Sequence, residues 1–74
     1  MALIETGGFV KNLETGEYDL VFTTEIGSEM LARNRAKEFA TTRNKLVGTK
    51  VYDAEDIVVK TRTQRIVYGP WVEV

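Results

Sequence analysis

Neither cysteine nor histidine occurs among the 74 residues of this chain. A domain of this size lies near the limit at which one hydrophobic core offsets the entropy of ordering the chain. Small domains often gain the missing stability from disulfides or from a metal held by cysteine and histidine, and neither is available here. We therefore expect a single domain over residues 1–74, with a core that holds alone or is completed by a partner.

The same absence limits the chemistry of the chain. Cysteine and histidine are the side chains that most often act as nucleophile, near-neutral acid or base, or transition-metal ligand. Catalysis would have to rest on other groups, and a chain of this length has little room for a cleft that would tune their pKa values. We therefore expect no enzyme, no cofactor and no metal site, with a carboxylate-based enzyme as the last alternative.

Charge is balanced over the whole chain but unevenly distributed along it. Ten basic and eleven acidic residues give a net charge of −1, which provides no general attraction for nucleic acid or an anionic membrane. Lys11 is the only basic residue before Met30, so the first part of the chain is acidic. No stretch approaches the ~20 apolar residues of a membrane span, and we expect no membrane association and a cytoplasmic location.

A β-hairpin is predicted near the N-terminus. Phe9–Lys11 and Glu17–Thr24 are its strands, and Gly16 can adopt the positive φ that closes a short loop. Gly7–Gly8 permits a bend or bulge, which allows Ala2–Glu5 to form a separate short extension. The face of the second strand expected in the core consists of Tyr18, Leu20 and Phe22.

One helix of about four turns is predicted to follow. Gly27 and Ser28 mark its start, because Ser28 can cap the helix and Glu29 then faces the positive end of its dipole. Gly48 is a natural end. Alanines on the buried stripe would let the helix lie close to a sheet, with Phe39 as the one large plug. That stripe comprises Ala32, Ala36, Phe39 and Ala40, and further along Leu46 and Val47.

The C-terminal part reads as strands. Lys50–Tyr52 is a short strand, Asp53–Asp56 a turn or single helical turn, and Ile57–Tyr68 a long β-rich run. The alternation of that run fails at Thr63–Arg65, which predicts a bulge or a turn there, and Trp71–Val74 reads as an edge segment. The predicted fold is α+β: one helix on a small antiparallel sheet of three to five strands, in the order β-β-α-β-β.

Basic residues alternate along the long β run. Lys60 and Arg62 would project from one strand face about 7 Å apart, close to the spacing of successive phosphates. Arg65, with Arg33 and Lys37 from the helix, would extend this surface into a nucleic-acid interface. The alternative is structural, because charged residues on an exposed edge strand guard it against aggregation.

An apolar patch near the C-terminus gives the leading functional hypothesis. Tyr68, Trp71 and Val72 lie at an expected sheet edge, where tryptophan and tyrosine often anchor partners. Trp71 alternatively completes the core. We expect a non-catalytic interaction module that binds a protein partner or its own copy, as a homodimer, through a sheet edge. Nucleic-acid binding is the second hypothesis.

Overall fold

A computed structural model describes residues 3–25, 28–64 and 69–74. The strands form one antiparallel sheet in the order β2-β1-β3-β4, and the helix packs on one face of it. The predicted α+β class and the β-β-α-β-β order are confirmed. No helix in the described ranges is long and apolar enough to cross a membrane. The elements are β1 (Leu3–Asn12), β2 (Tyr18–Thr24), α1 (Glu29–Val47), β3 (Tyr52–Gln64) and β4 (Val72–Glu73).

The hairpin between β1 and β2 forms as predicted. The Asn12 N–H donates to the Glu17 carbonyl at 2.7 Å, and Gly16 has φ 78°. β1 is nevertheless continuous from Leu3 through Gly7–Gly8, so the separate extension predicted for Ala2–Glu5 is wrong for its described residues 3–5, and Ala2 lies outside the described residues. The register shift lies just after Gly8 and is absorbed by β2, because unbroken pairing with β3 holds β1 straight across the two glycines.

Helix α1 docks through three alanines that are fully buried, Ala32, Ala36 and Ala40. Ala32 and Ala36 face β1 at Gly8: a Cβ atom placed on Gly8 would lie 2.6 Å from the Ala32 carbonyl oxygen and 3.0 Å from the Ala36 Cβ. The predicted close approach of helix and sheet is therefore confirmed, and glycine is what permits it. The predicted ends are also confirmed, since the Ser28 hydroxyl accepts a hydrogen bond from the Leu31 N–H and Gly48 takes φ 83°.

The rest of the predicted helix stripe is not buried. Helix α1 has 19 residues, more than five turns rather than four, because it continues through Thr41–Thr42 to its glycine cap. Leu46 lies well around the helix from the alanines and is 77% exposed. Phe39 is half-exposed at the flank, where its ring meets Tyr52 at 5.7 Å between centroids. Val47 is also exposed. The predictions that Phe39 plugs the core and that Leu46 and Val47 join it are wrong.

A β-bulge divides the face of β2 that was predicted to enter the core, formed by Tyr18, Leu20 and Phe22. Phe9 pairs with Leu20 and Gly8 pairs with Phe22, so Val21 has no residue opposite it. Phe22 therefore shares the helix side with Gly8, whereas Tyr18 and Leu20 project from the other side and stay more than 40% exposed. The core prediction fails for these two residues because the extra residue shifts their parity.

Strand β3 contains the segment predicted as a turn. Val10 pairs with Ile57 while Lys11 pairs with Asp53, so the three intervening residues form a wide irregularity within one strand. The prediction of a short strand ending before a turn at Asp53–Asp56 is therefore wrong. β3 is described as far as Gln64, and Thr63 is still in the strand. Arg65 and Tyr68, and with them the rest of the predicted break, lie outside the described residues.

The C-terminal segment forms the last strand of the sheet. The Gly69 N–H donates to the Thr63 carbonyl at 3.1 Å, which places Gly69 beside Thr63 of β3. Val72 and Glu73 then pair with Thr61 and Lys60. The edge position predicted for Trp71–Val74 is confirmed. Because β4 covers β3 at Lys60 and Thr61, Lys60 does not guard an open sheet edge as the structural alternative supposed.

Asn44 ties the last turn of α1 to the start of β3. Its amide oxygen accepts from the backbone N–H groups of Val51 and Tyr52, and its amide nitrogen donates to the Tyr52 carbonyl, all at 2.9 Å. These three bonds satisfy part-buried backbone groups of Val51 and Tyr52. No neighbouring strand of the described residues pairs with these groups.

Asn44→Ala is expected to lower the free energy of unfolding by about 2–3 kcal/mol, since three hydrogen bonds of about 1 kcal/mol each are lost. Urea denaturation followed by circular dichroism measures this change. Asn34→Ala is the matched control, because Asn34 is an exposed asparagine on the same helix. Its replacement should change stability by less than about 0.5 kcal/mol. Equal losses in the two variants would contradict the role of Asn44.

Candidate functional site

Trp71 covers the face of the sheet opposite α1. Its ring meets Phe9 edge-on, with 5.2 Å between centroids and 86° between planes. A Cβ atom placed on Gly7 would lie 2.8 Å from Trp71 Cη2 and 2.9 Å from Leu20 Cδ1. Gly7 thus makes room for the indole on this face, as Gly8 makes room for the helix on the other. Of the predicted partner-binding residues, Trp71 packs within the chain and Val72 is exposed beside it on β4.

Lys60 and Arg62 lie on the Trp71 face, which confirms that they share one side of β3. The Arg62 guanidinium is 4.3 Å from the Trp71 ring centroid and donates to Glu5 Oε1 through two nitrogens, at 2.7 and 2.6 Å. Only 22% of the Arg62 side chain and 10% of the Glu5 side chain are exposed. The Lys60 ammonium lies 5.1 Å from the Phe9 ring centroid. Both cations therefore interact with groups of their own sheet.

Arg33 and Lys37 are on α1 and so lie across the sheet from Lys60 and Arg62. Arg33 donates to the Ile57 carbonyl at 3.0 Å and pairs with Glu29 at 3.2 Å. Lys37 lies 3.6 Å from Glu55. The described basic residues proposed for nucleic-acid binding are thus divided between two faces and engaged with carboxylates, carbonyls or rings. That hypothesis stays a prediction, without a common surface to carry it.

An open apolar cleft lies between α1 and β2. It has a volume of about 360 Å³. The cleft exists because the three buried alanines hold α1 over β1 and β3, so that the helix leaves β2 partly uncovered. The sequence pattern does not predict this cleft, because it places Phe22 and Phe39 in the core. The residues lining it are Val21 and Phe22 of β2, and Arg35, Glu38, Phe39, Thr42, Arg43 and Leu46 of α1.

The outer edge of β2 borders this cleft and pairs with no strand in the described ranges. The strand has seven residues, YDLVFTT, without lysine, arginine or proline, the residues that commonly block an open edge. Its one charged residue, Asp19, accepts hydrogen bonds from the Asn12 amide and the Tyr52 hydroxyl, each at 3.1 Å. Burial, reinforced by that bond to Asp19, raises the pKa of Tyr52 and keeps the hydroxyl a neutral donor.

The acidic residues of the β3 irregularity are engaged locally. Asp53 accepts from the Glu55 N–H at 3.1 Å, and Asp56 accepts from the Tyr18 hydroxyl at 2.8 Å. Within the described ranges no group of three or more carboxylates is placed to hold a metal ion. The cleft and the β2 edge adjoin each other, and no other strand of the described residues occupies that edge. No protein-family model, curated protein or solved structure matches this chain, so its function has to be inferred from its own geometry.

Proposed function

We propose that this chain is a non-catalytic interaction module that binds a polypeptide as an added strand on the outer edge of β2. The observation that carries the proposal is the position of an unguarded seven-residue edge strand directly beside an apolar cleft. In strand addition, main-chain hydrogen bonds supply affinity, and pockets for alternate side chains supply specificity. The β2 edge offers the main-chain hydrogen-bonding groups, and the adjoining cleft offers the side-chain pocket.

The cleft suits alternate side chains of such a strand. A strand paired with β2 would direct every second side chain to the helix side of the sheet, against Phe22, Phe39 and Leu46. Its volume of about 360 Å³ falls within the range of pockets that hold small ligands, so it has room for large apolar side chains. Burial of such side chains supplies roughly 1.5–3 kcal/mol each.

The opposite sheet edge is a weaker place for the same mode of binding. β4 has only two residues, so it offers few backbone groups to an added strand. The earlier part of β3, which β4 does not cover, is irregular and carries three acidic residues between positions 53 and 56, and charged residues commonly block an open edge. Trp71 already packs on Phe9 and over Gly7, which leaves Val72 as the exposed side chain of the predicted patch among the described residues. The proposal therefore moves the binding edge from the Trp71 region to β2.

Selection from a displayed library of random peptides of about ten residues, enough to span the strand, tests this proposal. We expect selected peptides to shift the amide NMR signals of residues 18–24. We also expect Leu46→Gln to weaken their binding about tenfold, because an apolar wall of the cleft is lost. Met30→Gln is the matched control, since Met30 is 74% exposed on the same helix but does not line the cleft. Failure to select peptides, or equal effects of both variants, would refute strand addition at β2.

A further inference from the structure

We propose that the polypeptide on the β2 edge is a second copy of this chain, an inference that rests on the proposed function. The two β2 strands would pair antiparallel about a two-fold axis, giving one continuous sheet of twice four strands. The two α1 helices would then lie on the same side of that sheet, facing each other across the joined clefts. Such an interface is isologous, with the same patch contributed by both copies.

The small core of the single chain argues for a partner of this kind. Its buried apolar residues number six among those described, and three of them are alanines. With no disulfide to compensate, a second copy would add to the apolar burial of both chains equally.

The edge itself also favours self-pairing. An edge strand without blocking residues is a template for open-ended association unless something covers it. A two-fold axis pairs each β2 with the other and leaves neither edge open, so association stops at two copies. Val21, the bulged residue, would be covered on the helix side by the second copy.

Charges on the helical wall are self-complementary. The six helical residues that line the cleft are spaced symmetrically about the midpoint between residues 40 and 41, as a stripe on one helix face usually is. A two-fold axis at that level would therefore join them in three reciprocal pairs. The pairing sets Glu38 against the partner's Arg43, Phe39 against the partner's Thr42 and Arg35 against the partner's Leu46, each twice. Within each chain Glu38 also pairs with Arg35 at 3.1 Å, so it would lie between two arginines. A foreign segment carrying a single sign of charge would meet a like charge on this wall, whereas a second copy meets both signs in register.

A reciprocal charge exchange tests the inference. Light scattering and sedimentation equilibrium should give twice the chain mass of 8.4 kDa at micromolar concentration. Glu38→Arg alone and Arg43→Glu alone should each raise the dimer dissociation constant about tenfold, because each creates two like-charge pairs. The double variant should return the constant to within about threefold of the parent value. Both residues are exposed in the single chain, so circular dichroism should show unchanged folding.

The outcomes separate this inference from the proposed function. A monomer that still yields peptides mapping to residues 18–24 refutes the second copy and leaves strand addition standing. A monomer that yields no such peptides refutes both. If the chain is a dimer but neither Leu46→Gln nor either charge reversal changes its dissociation constant, the two copies associate through another surface. That result also overturns the inference. Rescue by the double variant supports it.

Discussion

Gly8→Ala is expected to remove most of the stability of this domain. The new Cβ would lie 2.6 Å from the carbonyl oxygen of Ala32 and 3.0 Å from the Cβ of Ala36. The first of these atoms belongs to the helix backbone, so the clash is relieved only if α1 moves away from the sheet and loosens all three buried alanines. Overpacking typically costs 1–3 kcal/mol, and a rigid neighbour puts this substitution at about 3 kcal/mol or more.

That loss is large for a domain of this size, whose core rarely supplies more than about 3–5 kcal/mol. Urea denaturation followed by far-ultraviolet circular dichroism measures it. Gly7→Ala is the matched control on the adjacent residue, because its Cβ would meet the side chains of Trp71 and Leu20, which can move. We expect Gly7→Ala to cost less than half as much. A greater loss at Gly7 than at Gly8 would show that the helix contact does not limit stability.

Trp71→Ala is expected to lower the free energy of unfolding by about 2–3 kcal/mol. A buried tryptophan replaced by alanine costs about 3–5 kcal/mol, and Trp71 keeps part of its surface in solvent. The substitution removes the edge-on contact with Phe9 and the ring beneath the Arg62 guanidinium. It also leaves an empty space over Gly7. The C-terminal segment would then be held to the sheet mainly by the short pairing of β4 with β3.

Urea denaturation followed by circular dichroism again measures the change, because Trp71 is the only tryptophan and cannot serve as the probe. Trp71→Phe should recover more than half of the loss by restoring a ring over Gly7. Val72→Ala is the neighbouring control, since this side chain is exposed and should contribute less than about 0.5 kcal/mol. If Trp71→Ala left stability unchanged, the indole would have no structural role on this face.

Features governed by local chemistry were predictable from the sequence. Gly16 closes the hairpin, Ser28 caps the helix, and Gly48 ends it, because each depends on the conformational range or hydrogen bonding of one residue. The alanine stripe was predictable from its spacing of four. Continuous β1 was not, because the glycines weaken the strand locally and pairing with β3 across ten residues of β1 overrides them.

The candidate site depends on contacts between residues distant in sequence, which explains why less of it was predicted. Strand alternation predicts that Lys60 and Arg62 lie on the same face of β3. It does not predict the contact of Arg62 with Glu5, which is 57 residues away in sequence. The bulge at Val21 shifts Leu20 and Phe22 to opposite sides, and local pattern carries no signal for it. The cleft results from that bulge and from the position of α1 over β1 and β3. It can therefore be predicted only when both of these features are known.

The contact between the alanines of α1 and Gly8 has a thermodynamic consequence. Alanine and glycine have no rotamers to lose, so this layer forms without the side-chain entropy cost that leucine or methionine would add. The same lack of rotamers removes any means of adjusting to a change in spacing. Larger side chains should therefore be tolerated mainly on the face of the sheet that carries Trp71, where flexible neighbours can rearrange. Beneath α1 they should hardly be tolerated at all.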